Sequence, residues 1–170
     1  MSSPQIIPVQ HIAPALLSLD DIRDTFRWYR LNMCEAELRD PRECRVRFLP
    51  ENFIHLIKLT NKYGAEPKNA RMALEEIERG RIKFAAGRFD PQRTAELSWV
   101  RLIIVDPWRI VRNWQVLGRG DEAYIRNFGT HESPTFRVLV CEVIGTVRQA
   151  ITVFPRERTG EKELQEVVWP

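Results

Sequence analysis

The spacing of hydrophobic and polar positions changes character about two thirds of the way along the chain. Before Gly118, apolar residues recur every three or four positions, which is typical of amphipathic helices. After Gly118, short segments rich in β-branched and aromatic residues alternate with polar positions, which is typical of strands. Helices first and strands last predict an α+β fold, with N-terminal helices packed on a C-terminal antiparallel β-meander.

Helical spacing predicts four helices. The first covers residues 19–38, because Ser18 and the aspartates after it favour a helix start and Asp40 and Pro41 end the pattern. The others cover residues 50–63, a segment from about 67 to 80, and a segment from about 91 to 104. Residues 81–90 fit neither pattern.

The strand pattern predicts the meander and leaves its register open. The predicted strands are residues 44–48, 124–128, 135–144 and 147–154, and residues 108–114 fit either a turn of helix or a strand. Gly145 and Thr146 predict a hairpin turn. A three-residue turn centred on Gly145 would place Glu142 opposite Arg148. A two-residue turn would shift the pairing by one position and exchange the faces.

Charge divides the chain into a basic body and two acidic flanks. Residues 44–156 carry 19 basic and 12 acidic side chains, a net +7, whereas residues 1–43 and 157–170 each carry a net −2. We therefore predict an N-terminal arm with an accessory helix (1–43), an α+β domain (44–156) and an acidic C-terminal tail (157–170). Arginines make up 21 of the 26 cations. They suit a phosphate-bearing partner such as RNA, although a GC-rich genome is an equal explanation.

Several kinds of site are missing from the sequence. The three cysteines are widely spaced, and no zinc pattern, phosphate-binding loop or serine-hydrolase motif occurs. The sequence therefore predicts no metal and no cofactor. It also lacks a signal peptide and an apolar stretch long enough to span a membrane, so we expect a cytoplasmic protein without a membrane partner.

The predicted helix 50–63 carries the first group of candidate site residues. Glu51, His55, Lys58 and Lys62 are spaced 4, 3 and 4 positions apart and would share one helix face. A histidine between a carboxylate and two lysines suits proton transfer beside a bound phosphate. The alternative is a solvated face with ordinary ion pairs.

The meander carries the second group. Its candidates are Tyr124, Arg126, His131, Arg137, Glu142, Arg148 and Thr152. Arginines and a histidine near a carboxylate suit the binding and cleavage of a phosphodiester. The alternatives are a cross-strand salt bridge between Glu142 and Arg148 that does no chemistry, and a His131 that contacts only water.

The order of these parts resembles a known group of proteins. The relevant segments are CRVRF at 44–48, FLPENFIHLIKLTNKYG at 48–64, DPWRIVRNW at 106–114 and TVF at 152–154. Together they resemble the phage-associated branch of the barnase–EndoU–colicin–RelE group of metal-independent ribonucleases, over roughly residues 44–155. The resemblance implies helices that precede a four-stranded antiparallel sheet, and RNA cleavage through the 2′-hydroxyl on the face of that sheet.

The resemblance also implies a distribution of site residues. His55 and Lys58 would lie on the helix side of a cleft, and Arg126, Arg137 and Thr152 on its sheet side. The helix in this group usually ends in a basic residue followed by histidine, whereas here Lys62 and Tyr63 stand at that place and His55 lies two turns earlier. A binding-only member of the group is therefore an alternative.

Two other classes of function stay open. One is a nucleic-acid or protein binding module that uses the basic sheet without cleavage. The other is a phage-derived structural or assembly accessory, in which residues 1–43 dock a protein partner or inhibitor. Aromatic and arginine side chains without an acid–base pair would favour the first. A large apolar patch around Trp28 and Tyr29 would favour the second.

Overall fold

The protein forms two compact units, described here separately. The computed structural model describes residues 19–60, 63–81, 93, 97–113, 121–156 and 166–170. What we call the helical unit contains the described residues of 19–36 and 48–98. What we call the sheet unit contains those of 37–47 and 99–170.

The helical unit consists of short helices around an aromatic core. Its elements are α1 (Leu19–Tyr29), a π-helical turn (Arg30–Cys34), α2 (Asn52–Leu56) and α3 (Ala70–Glu78). The ring of Phe53 lies 5.0 Å from that of Phe26 and 5.4 Å from that of Tyr29. Asn69 caps α3, since its Oδ1 accepts a hydrogen bond from the backbone N–H of Met72 at 3.1 Å. None of the described helices is long and apolar enough to cross a membrane.

The sheet unit contains one helix and a seven-stranded sheet. Its elements are β1 (Leu38–Arg39), β2 (Arg45–Arg47), α4 (Trp99–Val105), β3 (Arg109–Arg112), β4 (Glu122–Asn127), β5 (Phe136–Ile144), β6 (Val147–Arg156) and β7 (Glu166–Trp169). The strand order is β1-β2-β6-β5-β4-β3-β7. All neighbours are antiparallel except β2 and β6, which are parallel.

The α+β class is therefore present, but the sheet differs from the prediction in two respects. The meander β4–β5–β6 forms as predicted, with antiparallel pairing throughout. The sheet as a whole is mixed rather than antiparallel, because β2 runs parallel to β6. Strand β7 is an element that the sequence pattern does not predict. It pairs with β3 through Val167 and Trp169.

The first two predicted helices are too long. The first changes to a π-helical turn after Tyr29, and Leu38 then pairs with Val46 as a strand. The second ends at Leu56. There Lys58 adopts the left-handed conformation with φ +51°, and the N–H of Leu59 bonds the carbonyl of Ile54 at 3.1 Å.

The early end of α2 is a Schellman motif built without glycine. This motif closes a helix with a left-handed residue and a bond across six residues, and it brings together the apolar side chains at both ends of that bond. Leu59 and Ile54 are both fully buried. Burial of Leu59 thus accompanies the left-handed backbone of Lys58, a conformation that costs a non-glycine residue about 1 kcal/mol or more.

The hairpin between β5 and β6 has the shorter of the two possible turns. Ile144 pairs with Val147, so Gly145 and Thr146 form a two-residue loop, and Gly145 has the positive φ of +59° that such loops favour. Glu142 consequently lies opposite Gln149, so the alternative with a three-residue turn, in which Glu142 pairs with Arg148, does not form. A β-bulge next to Cys141 then shifts the register again, which places Thr152 opposite Val140.

Candidate functional site

An exposed histidine–carboxylate pair is the first candidate site, and it lies in the helical unit. Nδ1 of His55 lies 2.6 Å from Oε2 of Glu66, and their side chains retain 50% and 45% of their exposure. The buried side chains of Phe53, Ile54 and Leu56 anchor the opposite side of α2 and so direct His55 to the surface. A carboxylate at Nδ1 places a proton there and directs Nε2 to an incoming group.

The partner of His55 differs from the one that the sequence indicates. The predicted face of Glu51, His55, Lys58 and Lys62 does not form, because α2 ends after one turn. Lys58 is exposed, and Lys62 lies outside the described residues. Glu66 lies 10 residues beyond the last residue of α2, Leu56, so the helical spacing of that segment does not point to it. Sequence reasoning therefore finds the histidine and misses its carboxylate.

A buried ionic cluster occupies one face of the sheet unit. We define the Glu122 cluster as Asp40, Arg42, Arg112, Glu122, Tyr124 and Arg148. The fully buried carboxylate of Glu122 accepts from Nη2 of Arg42 at 2.7 Å and from Nε of Arg148 at 3.0 Å. Nη2 of Arg112 lies 3.5 Å from Oε1 of Glu122.

The electrostatics of Glu122 follow from these partners. Burial is the largest single influence and disfavours the charged carboxylate. The hydrogen bonds from Arg42 and Arg148, with their positive charges, outweigh it and hold the pKa of Glu122 below its ordinary value. Glu122 is therefore charged at neutral pH, balanced by guanidinium groups at hydrogen-bond distance.

Asp40 extends the Glu122 cluster through Tyr124. The buried Asp40 carboxylate accepts from Nη2 of Arg42 at 2.6 Å and from the hydroxyl of Tyr124 at 2.8 Å. Its other oxygen accepts from the backbone N–H groups of Arg42 and Cys44, each at 2.9 Å. Burial raises the pKa of the Tyr124 hydroxyl, which keeps it protonated as a donor. Every polar member shown here has a partner, as a stabilising network requires.

Tyr124 and Arg148, two residues that the sequence predicts to bind the substrate, therefore belong to this network. Tyr124 is fully buried, and the side chain of Arg148 retains 12% exposure. Their contacts within the network account for their positions.

Arg126 and Arg137 lie directly opposite each other on β4 and β5, and both are buried. Nη1 of Arg126 lies 2.6 Å from Oδ2 of Asp106 and also donates to the backbone carbonyl of that residue. The guanidinium carbon of Arg137 lies 5.6 Å from the ring centre of Trp99. This is a cation–π arrangement. The two arginines thus pack within the sheet unit.

The remaining predicted residues lie in the turn between β4 and β5 and on the β5–β6 hairpin, where Thr152 is half-buried. His131 is exposed in the turn between β4 and β5, and Glu142 is exposed on β5. Oδ1 of Asn127 fastens that turn by accepting from the N–H groups of Gly129 and Thr135 at 2.9 and 2.8 Å. Gly129 is required there, because a Cβ atom at this position would lie 2.2 Å from the carbonyl oxygen of Ser133. His131 therefore projects from a well-defined turn.

The predicted site residues divide between the two units. His55 and Lys58 belong to the helical unit, and Arg126, Arg137 and Thr152 belong to the sheet unit. Among the described residues, no three His, Cys, Asp or Glu side chains come together as ligands for a metal ion. No protein-family model, no curated protein and no solved structure matches the chain.

Proposed function

We propose that the protein is a metal-independent endoribonuclease-like domain that cleaves RNA by attack of a 2′-hydroxyl on the adjacent phosphate. The observation that supports this most is the exposed pair of His55 and Glu66, 2.6 Å apart. Histidine is the side chain that most often transfers protons near neutral pH, and a carboxylate that orients it is a recurrent arrangement in nucleophilic catalysis.

The proposed chemistry assigns a role to each member of the pair. Nε2 of His55 takes the proton from the 2′-hydroxyl while the 2′-oxygen forms a bond to phosphorus. The bond from phosphorus to the 5′-oxygen breaks, and that oxygen takes a proton from water. The hydroxide that remains takes the proton from the imidazolium of His55, which restores the histidine. The products are a 2′,3′-cyclic phosphate and a 5′-hydroxyl. Glu66 positions the imidazole through Nδ1 and stabilises the imidazolium that forms.

The distribution of charge supports an RNA substrate. Lys58 and Lys68 are exposed and lie three residues after His55 and two residues after Glu66. Lysine ammonium groups of this kind stabilise the negative charge of a phosphorane. The net charge of +7 over residues 44–156 also favours association with a polyanion.

A second candidate function is RNA binding without cleavage, which one feature of the sheet unit favours. Trp108 is 44% exposed, and the guanidinium carbon of Arg109 lies 4.5 Å from the centre of its ring. The ring of Phe136 lies 5.8 Å away. Exposed aromatic and arginine side chains in contact are typical of surfaces that bind single-stranded nucleic acid.

An assay of RNA cleavage in the presence of EDTA distinguishes the two proposed functions. We expect the wild-type protein to cleave, and Glu66→Gln to reduce the single-turnover rate by about 10- to 100-fold, the loss usual when a partner that orients a metal-binding histidine is removed. RNA affinity should change little, because Glu66 acts through the imidazole. Glu132→Gln is the matched control, because Glu132 lies next to His131, the other candidate histidine. This variant should retain the wild-type rate. Tight binding without any cleavage would favour the second function.

A further inference from the structure

A small cavity in the helical unit is lined by an excess of arginine. Its volume is about 240 Å³, and its lining consists of Arg23, Phe26, Arg27, Arg30 and Glu78. The first four residues form one stripe along α1 and the start of the π-helical turn, and Glu78 ends α3. We call this the arginine cavity.

The spacing of the three arginines places like charges on one helix face. Residues four and three positions apart on a helix are neighbours, so Arg23, Arg27 and Arg30 repel one another. Glu78 supplies one negative charge in the lining against these three positive charges. A bound anion would relieve this repulsion, whereas a cation would increase it.

The ion pairs of Arg27 and Arg30 are weak and open to exchange. Nη1 of Arg27 lies 3.0 Å from Asp24, but both side chains are about 70% exposed, at 67% and 72%. Arg30 lies 3.5 Å from Glu35 and 3.7 Å from Glu78, which are long distances for a charge-assisted hydrogen bond. Exposed pairs of this kind contribute about 0–1 kcal/mol to stability. An anion with several acceptor oxygens can therefore recruit these guanidinium groups.

The walls of the cavity are held in place by the core of the unit. Phe26 is 3% exposed and packs on Phe53 with ring centres 5.0 Å apart, which fixes the face of α1 between the arginines. Arg23 extends toward the end of α3. Its Nη1 lies 3.9 Å from the position that a Cβ atom would occupy if Gly80 had a side chain. Arg30 begins the π-helical turn, a feature that is frequent at functional sites.

We infer that the arginine cavity binds a terminal phosphate group. Planar guanidinium groups present paired donors that match phosphate oxygens. A terminal phosphate carries close to two negative charges at neutral pH, whereas a phosphodiester carries one, so an excess of positive charge favours the terminal group. The volume of about 240 Å³ lies below the range of roughly 300–1,000 Å³ for drug-sized ligands, which fits a compact anion.

This inference does not rest on the proposed ribonuclease activity, since the cavity contains neither His55 nor Glu66. Two sources supply a terminal phosphate: a small molecule such as pyrophosphate, and the 5′-end of an RNA strand. The shared chemistry is a phosphate with free oxygens. The experiment below separates the two sources.

Calorimetric titration of the full chain with inorganic pyrophosphate tests the site. We expect saturable binding by the wild-type protein and a loss of at least about 10-fold in affinity in the double variant Arg27→Gln/Arg30→Gln, because two charge-assisted contacts disappear. Glu78→Gln should bind about 2- to 5-fold more tightly, since it removes the one negative side chain of the lining. Both variants alter exposed side chains, so their unfolding midpoints should match that of the wild type.

The control variant Arg45→Gln/Arg71→Gln removes two exposed arginines elsewhere and should retain wild-type affinity. Parallel titrations use one RNA trinucleotide with a 5′-phosphate and the same trinucleotide with a 5′-hydroxyl. Binding of the phosphorylated form alone identifies an RNA end as a ligand, and binding of pyrophosphate alone identifies a small molecule. Equal losses in the control and in the Arg27/Arg30 variant would overturn the inference, as would the absence of any saturable binding.

Discussion

Glu122→Gln should lower the free energy of unfolding by about 3 kcal/mol. Removing one partner of a buried ion pair costs roughly 3–5 kcal/mol, because the remaining charges lose their compensation. Arg42 and Arg148 retain 16% and 12% exposure, so water reaches them in part and the lower end of that range applies. Urea denaturation of the two proteins at neutral pH measures the difference.

Glu142→Gln is the matched control for this substitution. Glu142 is an exposed glutamate of the same sheet and lies opposite Gln149. Its replacement should change the free energy of unfolding by no more than about 0.5 kcal/mol. Equal effects of the two substitutions would mean that the Glu122 cluster does not stabilise the sheet unit.

The same cluster also predicts the direction of a pH effect. Because the pKa of Glu122 is lowered in the folded state, its contribution to stability is complete above its ordinary value of 4.5. That contribution is lost as the pH falls through the lowered value. The difference in stability between the wild type and Glu122→Gln should therefore be constant from neutral pH to about pH 5 and should narrow on further acidification.

His55→Ala should reduce the rate of RNA cleavage by about 10²–10⁴-fold, the usual contribution of a positioned proton-transfer group. The imidazole is half exposed, so its removal leaves the buried side of α2 intact and should not unfold the protein. Affinity for an RNA with 2′-deoxy sugars should barely change, because the proposed role of His55 concerns the 2′-hydroxyl. Single-turnover cleavage and affinity, measured side by side, check both statements.

His131→Ala is the control for this prediction. His131 is also exposed, but it lies in the turn after β4 of the sheet unit, whereas His55 and Glu66 belong to the helical unit. Its replacement should leave the rate unchanged. Full activity of both variants would remove histidine from the mechanism, and loss of activity only in His131→Ala would move the site to the sheet unit.

The meander was predictable from sequence, but its register was not. Alternation of apolar and polar residues marks β5 and β6 within one or two residues of their observed ends. Gly145 and Thr146 mark the position of the turn, yet turns of two and of three residues both fit this sequence. A change from one turn length to the other moves the side chains of a strand to the opposite face of the sheet. The bulge next to Cys141 shifts the pairing register a second time, and no residue type in this segment indicates a bulge. The cross-strand partner of Glu142 could therefore not be determined from the sequence.

The parallel pairing of β2 with β6 and the positions of the helix ends escaped prediction for a different reason. Strand β2 pairs with β6 across about 100 residues of chain, and only tertiary packing selects that neighbour. The end of α2 depends on the burial of Leu59, which allows Lys58 to adopt a conformation that sequence rules reserve for glycine. Gly64 is the more obvious helix stop, but the helix has already ended there.

The polar residues divide along the same line. His55 was identifiable because it is a histidine on a short amphipathic helix, a local feature. Its partner Glu66 is not, since it lies outside the helix that carries His55. The pairing of Arg42 with Glu122 spans 80 residues, and neither residue stands out in its own segment. Sequence reasoning thus finds candidate groups and leaves their partners to the structure.

Mass spectrometry of the products of a mixed-sequence RNA oligonucleotide, digested in EDTA, tests the proposed function most directly. Attack by the 2′-hydroxyl predicts fragments that end in a 2′,3′-cyclic phosphate and begin with a 5′-hydroxyl, and no cleavage where the 2′-hydroxyl is replaced by hydrogen. The same fragments should be scarce with His55→Ala. RNA that stays intact in EDTA, or that is cut only after magnesium is added and bears 5′-phosphate ends, would contradict the account.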